Sequence, residues 1–495
     1  MREDEWVEAW HRRHADPTDD IAWKEASIWA NAESSPSRWE LIARFYRSAR
    51  NEARARAAYT ELIRACGDTT RPRAYLNYAQ FLFELGDTDE ALSIFELAWE
   101  TSSEPEIGIG FSSALLEAGC DEVALGFLND VRNQLEHLAS YWSNLSIAST
   151  RCDRFDAAHE AAQQAYQFER TSAATFQLAL SELRMSRARS ADAWAKFEDR
   201  PNRPAHPEGV GEVLKSLNQV SHGDRVAVVC EQGIGDNLQF IRFAKVLEER
   251  GASVIIASSP RLIPFLSGSF PSFQYVDTNA QLLKLRPRYW IPILSLAGMA
   301  LSTGQPSESE AYLEARNAPN HHVDLDIRQS KRLRIGIAWR GNPSYVNDHL
   351  RSASLNDFQG LTQCDDIELF SLLPNIDDEL EELGITVDRL RPLDRGADEN
   401  GIFVDTAARV MNLDAVITTD TSIVHLSGGL GVPTYVLLNR GADWRWGTAA
   451  SPISWYSAVR LVWLSGASFS EGVQRALKGI RDFYQVPRSP SQDSH

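Results

Sequence analysis

Cysteine is scarce in this 495-residue chain, and its five copies (Cys66, Cys120, Cys152, Cys230, Cys364) are scattered and never form a Cys-x-x-Cys pair. That argues against a disulfide framework and against a thiolate zinc site. It reads instead as reduced, mostly buried thiols, which suits a cytoplasmic protein. No apolar run approaches the roughly 20 residues that a spanning helix requires. The opening Met-Arg-Glu-Asp-Glu-Trp has no signal-peptide pattern. Basic charge is also in deficit, with 50 Lys and Arg against 68 Asp and Glu and a formal net charge of −18. Such a balance disfavours nonspecific binding to nucleic acid or to anionic membranes. A Walker phosphate loop is absent too. What is present is an ordinary globular composition over a length that suggests about three domains.

From about residue 36 to 200 the chain reads as helical, with self-similarity at a spacing of roughly 34 residues. The clearest copy runs from Ala79 to Ala98, with a turn glycine, Gly86, followed by Ala91, Phe95 and Ala98 on one helix face. One repeat later Gly119, Ala124, Leu128 and Val131 take those places. The preceding copy offers Ala55, Tyr59 and Leu62, with Arg50 aligned to Gly86 and the turn-forming Asn51 one place later. A following copy offers Asp153, Ala158, Ala162 and Ala165. Small residues let paired helices approach closely, and the pattern resembles a tetratricopeptide solenoid. A plain bundle of unrelated hairpins is the alternative. The histidines here (His11, His14, His137, His159) are isolated and read as surface residues, so this half is expected to recognise or assemble rather than catalyse.

Pro201 to Gly211 is rich in proline and glycine and reads as a linker. Beyond it, strand-like runs at 226–229, 254–257, 289–293, 334–339, 368–372, 415–418 and 434–438 alternate with helical patterns, implying parallel sheets. A polar stretch at 317–333 divides them. The expected organisation is a helical extension (1–35), repeats (36–200), a linker (201–222), an N-terminal α/β half (223–330), a C-terminal α/β half (331–487) and a disordered tail (488–495).

Four loops carry possible chemistry. Glu231-Gln232-Gly233-Ile234-Gly235-Asp236 follows a strand, but Leu238 replaces the third glycine of G-x-G-x-x-G, and no ribose-holding acid ends the next strand. A dinucleotide enzyme is therefore disfavoured. Asp236 fits an N-cap with Gln239 closing a capping box, and equally a general base. Asp420-Thr421-Ser422-x-x-His425 places a helix start, with its free N–H groups, after a second strand, which suits a phosphate; capping alone is the other reading. Trp339-Arg340-Gly341-Asn342, with Asn347, Asp348 and Arg351, offers two arginines to clamp a diphosphate or simply to be solvated. Trp444 and Trp446 are either core or a stacking wall for a base or sugar.

These loops in this order resemble those of tetratricopeptide-containing bacterial glycosyltransferase-like proteins, related to the heptosyltransferase group with the GT-B fold. The likeness rests on Glu231–Asp236, Trp339–Pro343, Asn347–Ser352, Asp420–His425 and Asp443–Trp446, and Ala193–Glu198 also looks familial. It spans roughly residues 36 to 485. The resemblance implies an α-solenoid followed by two Rossmann-like α/β halves, the first on the acceptor side and the second on the nucleotide-sugar side. It implies inverting transfer without a metal or other cofactor, the nucleotide-sugar being a co-substrate. Asp236 falls on the general base. Gln232, Gly233, Gly235, Arg340, Asn342, Asn347, Asp348, Arg351, Asp420, Thr421, Ser422, His425, Trp444 and Trp446 are the expected substrate contacts. Arg351 stands where those enzymes usually have a lysine. The expected acceptor is a protein hydroxyl chosen by the repeats, with flagellin or another surface protein as candidates. The rival is a non-catalytic repeat scaffold whose glycosyltransferase-like domain is degenerate.

Overall fold

The computed structural model describes residues 6, 10, 20–32, 35–68, 70–186, 188–316, 332–345, 347–394 and 396–485. The tail at 488–495, His11, His14 and residues 317–331 of the polar stretch lie outside them. The chain divides into two compact units, Met1–Cys152 and Asp153–His495.

The first unit is built from helix pairs, among them Pro36–Ser48 with Glu52–Ala65, Arg71–Leu85 with Thr88–Thr101, and Pro105–Glu117 with Asp121–Asp130. Every aligned small or apolar position is buried: Ala55, Tyr59 and Leu62, then Ala91, Phe95 and Ala98, then Ala124, Leu128 and Val131. The turn residues share one conformation. Arg50, Gly86, Gly119 and, at the start of the second unit, Asp153 all have positive φ, between 54° and 87°. Glycine meets that demand freely, whereas Arg50 and Asp153 adopt it against a side-chain penalty. Asn51 then caps the next helix, its Oδ1 accepting from Arg54 N at 3.2 Å. Polar contacts recur about one repeat apart as well: Arg56 Nη1 to Glu90 Oε2 at 2.9 Å, Arg73 Nη2 to Glu106 Oε2 at 2.8 Å, and Arg54 to Asp20. Exposed pairs of this kind contribute little stability individually, but they report the period.

The repeat reading extends to residue 200, yet helices Phe155–Phe168, Ser172–Met185 and Ala191–Phe197 belong to the second unit. Ala158, Ala162 and Ala165 are fully buried there, as the alignment expects. The helices precede two five-stranded parallel sheets. The first contains β1 (Glu212–Val213), β2 (Arg225–Val229), β3 (Ser253–Ala257), β4 (Gln274–Val276) and β5 (Tyr289–Pro292), in the order β1-β5-β2-β3-β4. The second contains β6 (Leu333–Ala338), β7 (Ile367–Ser371), β8 (Ala415–Thr419), β9 (Thr434–Leu438) and β10 (Val459–Trp463), in the order β10-β9-β8-β6-β7. β1, β4 and β10 go beyond the seven expected strands, and β1 comes from the stretch read as linker.

Parallel sheets are covered on both faces and so use continuous apolar runs. In β2, Val226 and Val228 enter the main core while Ala227 faces a smaller cluster with Ile255 and Trp290. Each sheet reverses direction once, between β2 and β5 in the first and between β6 and β8 in the second. The crevice outside such a switch point is where open α/β sheets bind ligands. The loops after β2, β6 and β8 are three of the four singled out from sequence. Among the described residues no helix is long and apolar enough to cross a membrane.

Candidate functional site

The loop after β2 ends in helix Ile234–Phe240. Its N-cap is Gly233, not Asp236 as the capping pattern suggests. Asp236 sits at the third helical position, where its Oδ2 accepts from Gly233 N at 3.0 Å. Gln239, expected to close the box, is fully buried with both amide atoms unpartnered. Gln232 takes a positive φ of 55° at the loop apex and is exposed.

Glu231 has a structural task. Its carboxylate holds Arg200 with two bonds of 2.8 Å, both side chains being fully buried. Its Oε1 also accepts from Leu294 N, at the start of the helix after β5. Glu231 and Arg200 thus tie the loop after β2 to the helix after β5. The preceding Ala193–Glu198 segment belongs to the same assembly, since a Cβ on Gly298 would lie 2.8 Å from the Trp194 ring.

Asp236 Oδ1 accepts from Arg445 Nη2 at 2.6 Å. Arg445 also pairs with Asp443, Nη1 to Oδ1 at 3.4 Å. Burial pushes the Asp236 carboxyl above the usual carboxylate range, with Arg445 the leading influence in the other direction. Asp420 is likewise raised by burial, against the pull of Arg445 and Arg351. The surrounding carboxylates hold Arg445 firmly charged despite its burial. Arg445 was not among the expected contacts, although it lies inside the Asp443–Trp446 motif. The available signal was a guanidinium inside an aromatic run, because a charge buried among rings needs carboxylate or hydrogen-bonding partners from elsewhere in the chain.

From the second sheet, helix Ser422–Gly429 starts immediately after β8. Its first backbone N–H groups have no partner within the helix. Helix Ile234–Phe240 packs directly on it: a Cβ on Gly235 would lie 2.9 Å from His425 Cδ2 and 3.3 Å from Ser422 Cα. His425 is buried, with Nδ1 2.8 Å from Tyr456 Oη and its ring stacked on Trp446 at 5.9 Å. Burial first, then Arg445, Arg242 and Arg351, push its pKa far down, so its imidazole is neutral at pH 7. Thr421 is buried beside Thr418, with the two hydroxyls 3.3 Å apart. Gly235→Ala tests this packing. The His425 ring cannot yield readily, so overpacking costs about 1–3 kcal/mol, to be read as a lowered urea midpoint.

The loop after β6 is organised by Asp348. Its Oδ1 accepts from Arg351 Nε at 3.0 Å and its Oδ2 from Ser352 Oγ at 2.8 Å, while Ser352 Oγ accepts from Gly341 N at 3.0 Å. Arg351 Nη1 donates to the Asp420 backbone oxygen at 3.0 Å and lies over the Tyr345 ring at 4.6 Å. Arg340 does not join it in a clamp. Its guanidinium pairs with Glu379 Oε1 at 2.7 Å, and Trp339 Nε1 donates to the other Glu379 oxygen at 2.8 Å. Asn342 is exposed, and its Oδ1 accepts from Ser344 N at 3.1 Å. Asn347 is half-buried.

The aromatic loop proves to be core. Trp446 is fully buried against His425, and Trp444 packs edge-on against Trp194 and Phe197 at 5.6 and 5.9 Å. Neither ring is an open stacking wall. Asp236, Asp420, Asp443, Arg351 and Arg445 therefore form one charged cluster beside a helix start. Among the described residues no group of three or more His, Cys, Asp or Glu side chains is placed to hold a metal ion.

A tetratricopeptide repeat model matches residues 72–103, which are the pair Arg71–Leu85 and Thr88–Thr101. No curated relative matches the sequence. Among solved structures, the chain is similar to MamA (residue 41 to the end) from Desulfovibrio magneticus RS-1, with a TM-score of 0.28 and 17% identity over 33% of this chain and 90% of that one. It is similar to YrrB, a TPR protein with an unusual peptide-binding site, with a TM-score of 0.28 and 15% identity over 36% and 90%. A singly substituted O-GlcNAc transferase of Thermobaculum terrenum aligns over 84% and 90%, with a TM-score of 0.33 and 14% identity.

Proposed function

We propose that the second unit is a GT-B-type glycosyltransferase that moves a sugar from a nucleotide-sugar donor to an acceptor hydroxyl, inverting the anomeric centre without a metal. The observation that carries this reading is the ion pair of Asp236 with Arg445, formed beside Arg351 and the start of helix Ser422–Gly429. It sets a carboxylate beside arginines and a helix start on neighbouring loops, groups of the kinds that accept a proton and bind phosphate. The family resemblance read from the sequence assigns the same loops to the same roles.

In the proposed reaction the acceptor oxygen attacks the anomeric carbon as the bond to the nucleoside diphosphate breaks. Its proton passes to Asp236, and the diphosphate departs with the bonding pair. Arg445, Arg351 and the first N–H groups of the helix meet the charge that develops on it. Its pKa, raised by burial, makes Asp236 a stronger base than an ordinary aspartate. The repeats of the first unit are proposed to choose a protein acceptor.

The rival scaffold reading draws on the saturation of Arg445 by carboxylates and on the burial of Trp444 and Trp446. A panel of uridine, guanosine and adenosine diphosphate sugars separates the two. At a hundred times its dissociation constant, a true donor adds about 2.7 kcal/mol of stability, visible as a raised melting temperature and accompanied by slow hydrolysis. Absence of both effects across the panel favours the scaffold.

A further inference from the structure

We propose that Arg184 is a positioning residue for this site, so that the helical hairpin at 155–185 belongs to the machinery that aligns Arg445 with Asp236. The inference rests on the glycosyltransferase reading for its catalytic consequence, but its geometry stands without it. Arg184 lies in helix Ser172–Met185 and is buried. Its Nη1 donates to the Gly447 carbonyl at 2.8 Å and its Nη2 to the Ala442 carbonyl at 2.7 Å. Those two carbonyls bracket the segment that carries Asp443, Trp444, Arg445 and Trp446. The Phe155 ring lies 4.4 Å beneath the guanidinium, fixing its plane from the other helix of the hairpin. Asp153, just before that helix, accepts from Gly441 N at 3.0 Å. The loop is thus gripped at three backbone points by one helical hairpin.

Only a planar fork spans two carbonyls in this way. Lysine donates from one nitrogen on a flexible stem and cannot reproduce two donors set apart in a fixed plane. The guanidinium is held at a cost, since burial lowers its pKa to about 10, opposed by Asp443 and Asp153. A charge kept so deeply buried with its donors aimed at one loop has the form of a brace. If the brace goes, Arg445 drifts from Asp236. The charged groups that bear on Asp236 are Arg445, Asp443 and Arg351, beside the Gly233 N–H, and losing the first leaves its proton affinity higher.

The test compares the full chain with Arg184→Gln and Arg184→Lys. Hydrogen exchange read by mass spectrometry is expected to quicken by at least about tenfold at the Gly441, Trp446 and Gly447 amides in both variants, with peptides from the first unit unchanged. Unchanged exchange in this loop, acceleration spread over the whole chain, or full rescue by lysine overturns the proposal. Where the wild type turns over a nucleotide sugar, kcat is expected to fall about tenfold or more. The acid limb of its pH profile should also move to higher pH, a change that loss of stability alone does not produce. If the wild type turns over none, the exchange result still decides whether Arg184 holds the loop, and only the enzymatic reading fails.

Discussion

Asp236→Asn is expected to slow sugar transfer by about 10² to 10⁴-fold while leaving nucleotide-sugar affinity within about threefold. Asparagine keeps a carbonyl oxygen for the Gly233 N–H, so the helix start survives the change. Its other terminal group is an NH2 donor, so the bond from Arg445 Nη2 is lost, and Arg445 retains Asp443 as a charged partner. With that charged bond gone, folding stability should fall by about 1–3 kcal/mol. What is lost is the ability to accept the acceptor's proton. The acid limb of the wild-type rate profile should lie above that of an ordinary carboxylate, because burial raises the pKa of Asp236. As pH falls through that raised value the base is protonated and the rate declines. In Asp236→Asn that limb should vanish. Initial rates across pH with the donor found in the panel check both points, and wild-type turnover in the variant would remove Asp236 from the mechanism.

Glu231→Gln carries the largest expected loss of stability, about 3–5 kcal/mol. Its carboxylate is the principal partner of a fully buried Arg200 guanidinium and accepts from Leu294 N as well. A neutral amide keeps one acceptor oxygen for Arg200 but no charge, leaving it otherwise with Ser295 Oγ at 3.0 Å and with the Phe197 carbonyl and Glu198, both at 3.3 Å. That is too little for an unsolvated charge. Replacing both partners together, as Glu231→Leu with Arg200→Met, removes the charge and should recover most of the loss. Chemical denaturation of the two single variants and the double variant gives the coupling directly. A near-neutral Glu231→Gln would show that the pair is dispensable to the fold.

Much of the architecture was legible because the governing forces are local. The seven expected strands are mainly apolar runs of four to six residues, and both-sided burial leaves that mark in any parallel sheet. β1 and β4, at two and three residues, are too short to show a pattern, and β10 is interrupted by Arg460. The repeat turns were legible where glycine supplied the left-handed conformation, and less so at Arg50, whose side chain disguises it. Within the site, the polar loops after β2, β6 and β8 announced themselves. Their partners did not. Asp236 and Arg445 lie 209 residues apart, and no spacing rule reaches that far. For the same reason Arg340 and Arg351 looked equivalent in sequence, while Glu379 holds one and the Asp348 loop the other. The aromatic density near 444 was ambiguous from the start, and packing against Trp194 and His425 decides it for the core.

The division of the chain between Cys152 and Asp153 bears on how such a protein can diversify. Asp153 and Arg184 both fall on the far side of that junction, with the loop they hold. A recombination event at the junction would exchange or lengthen the preceding array while every group around Asp236 travelled intact with the remainder. On the proposed reading, acceptor choice and bond-making could then change on separate evolutionary schedules, and chimaeras joined at residue 152 test whether one chemistry can be retargeted.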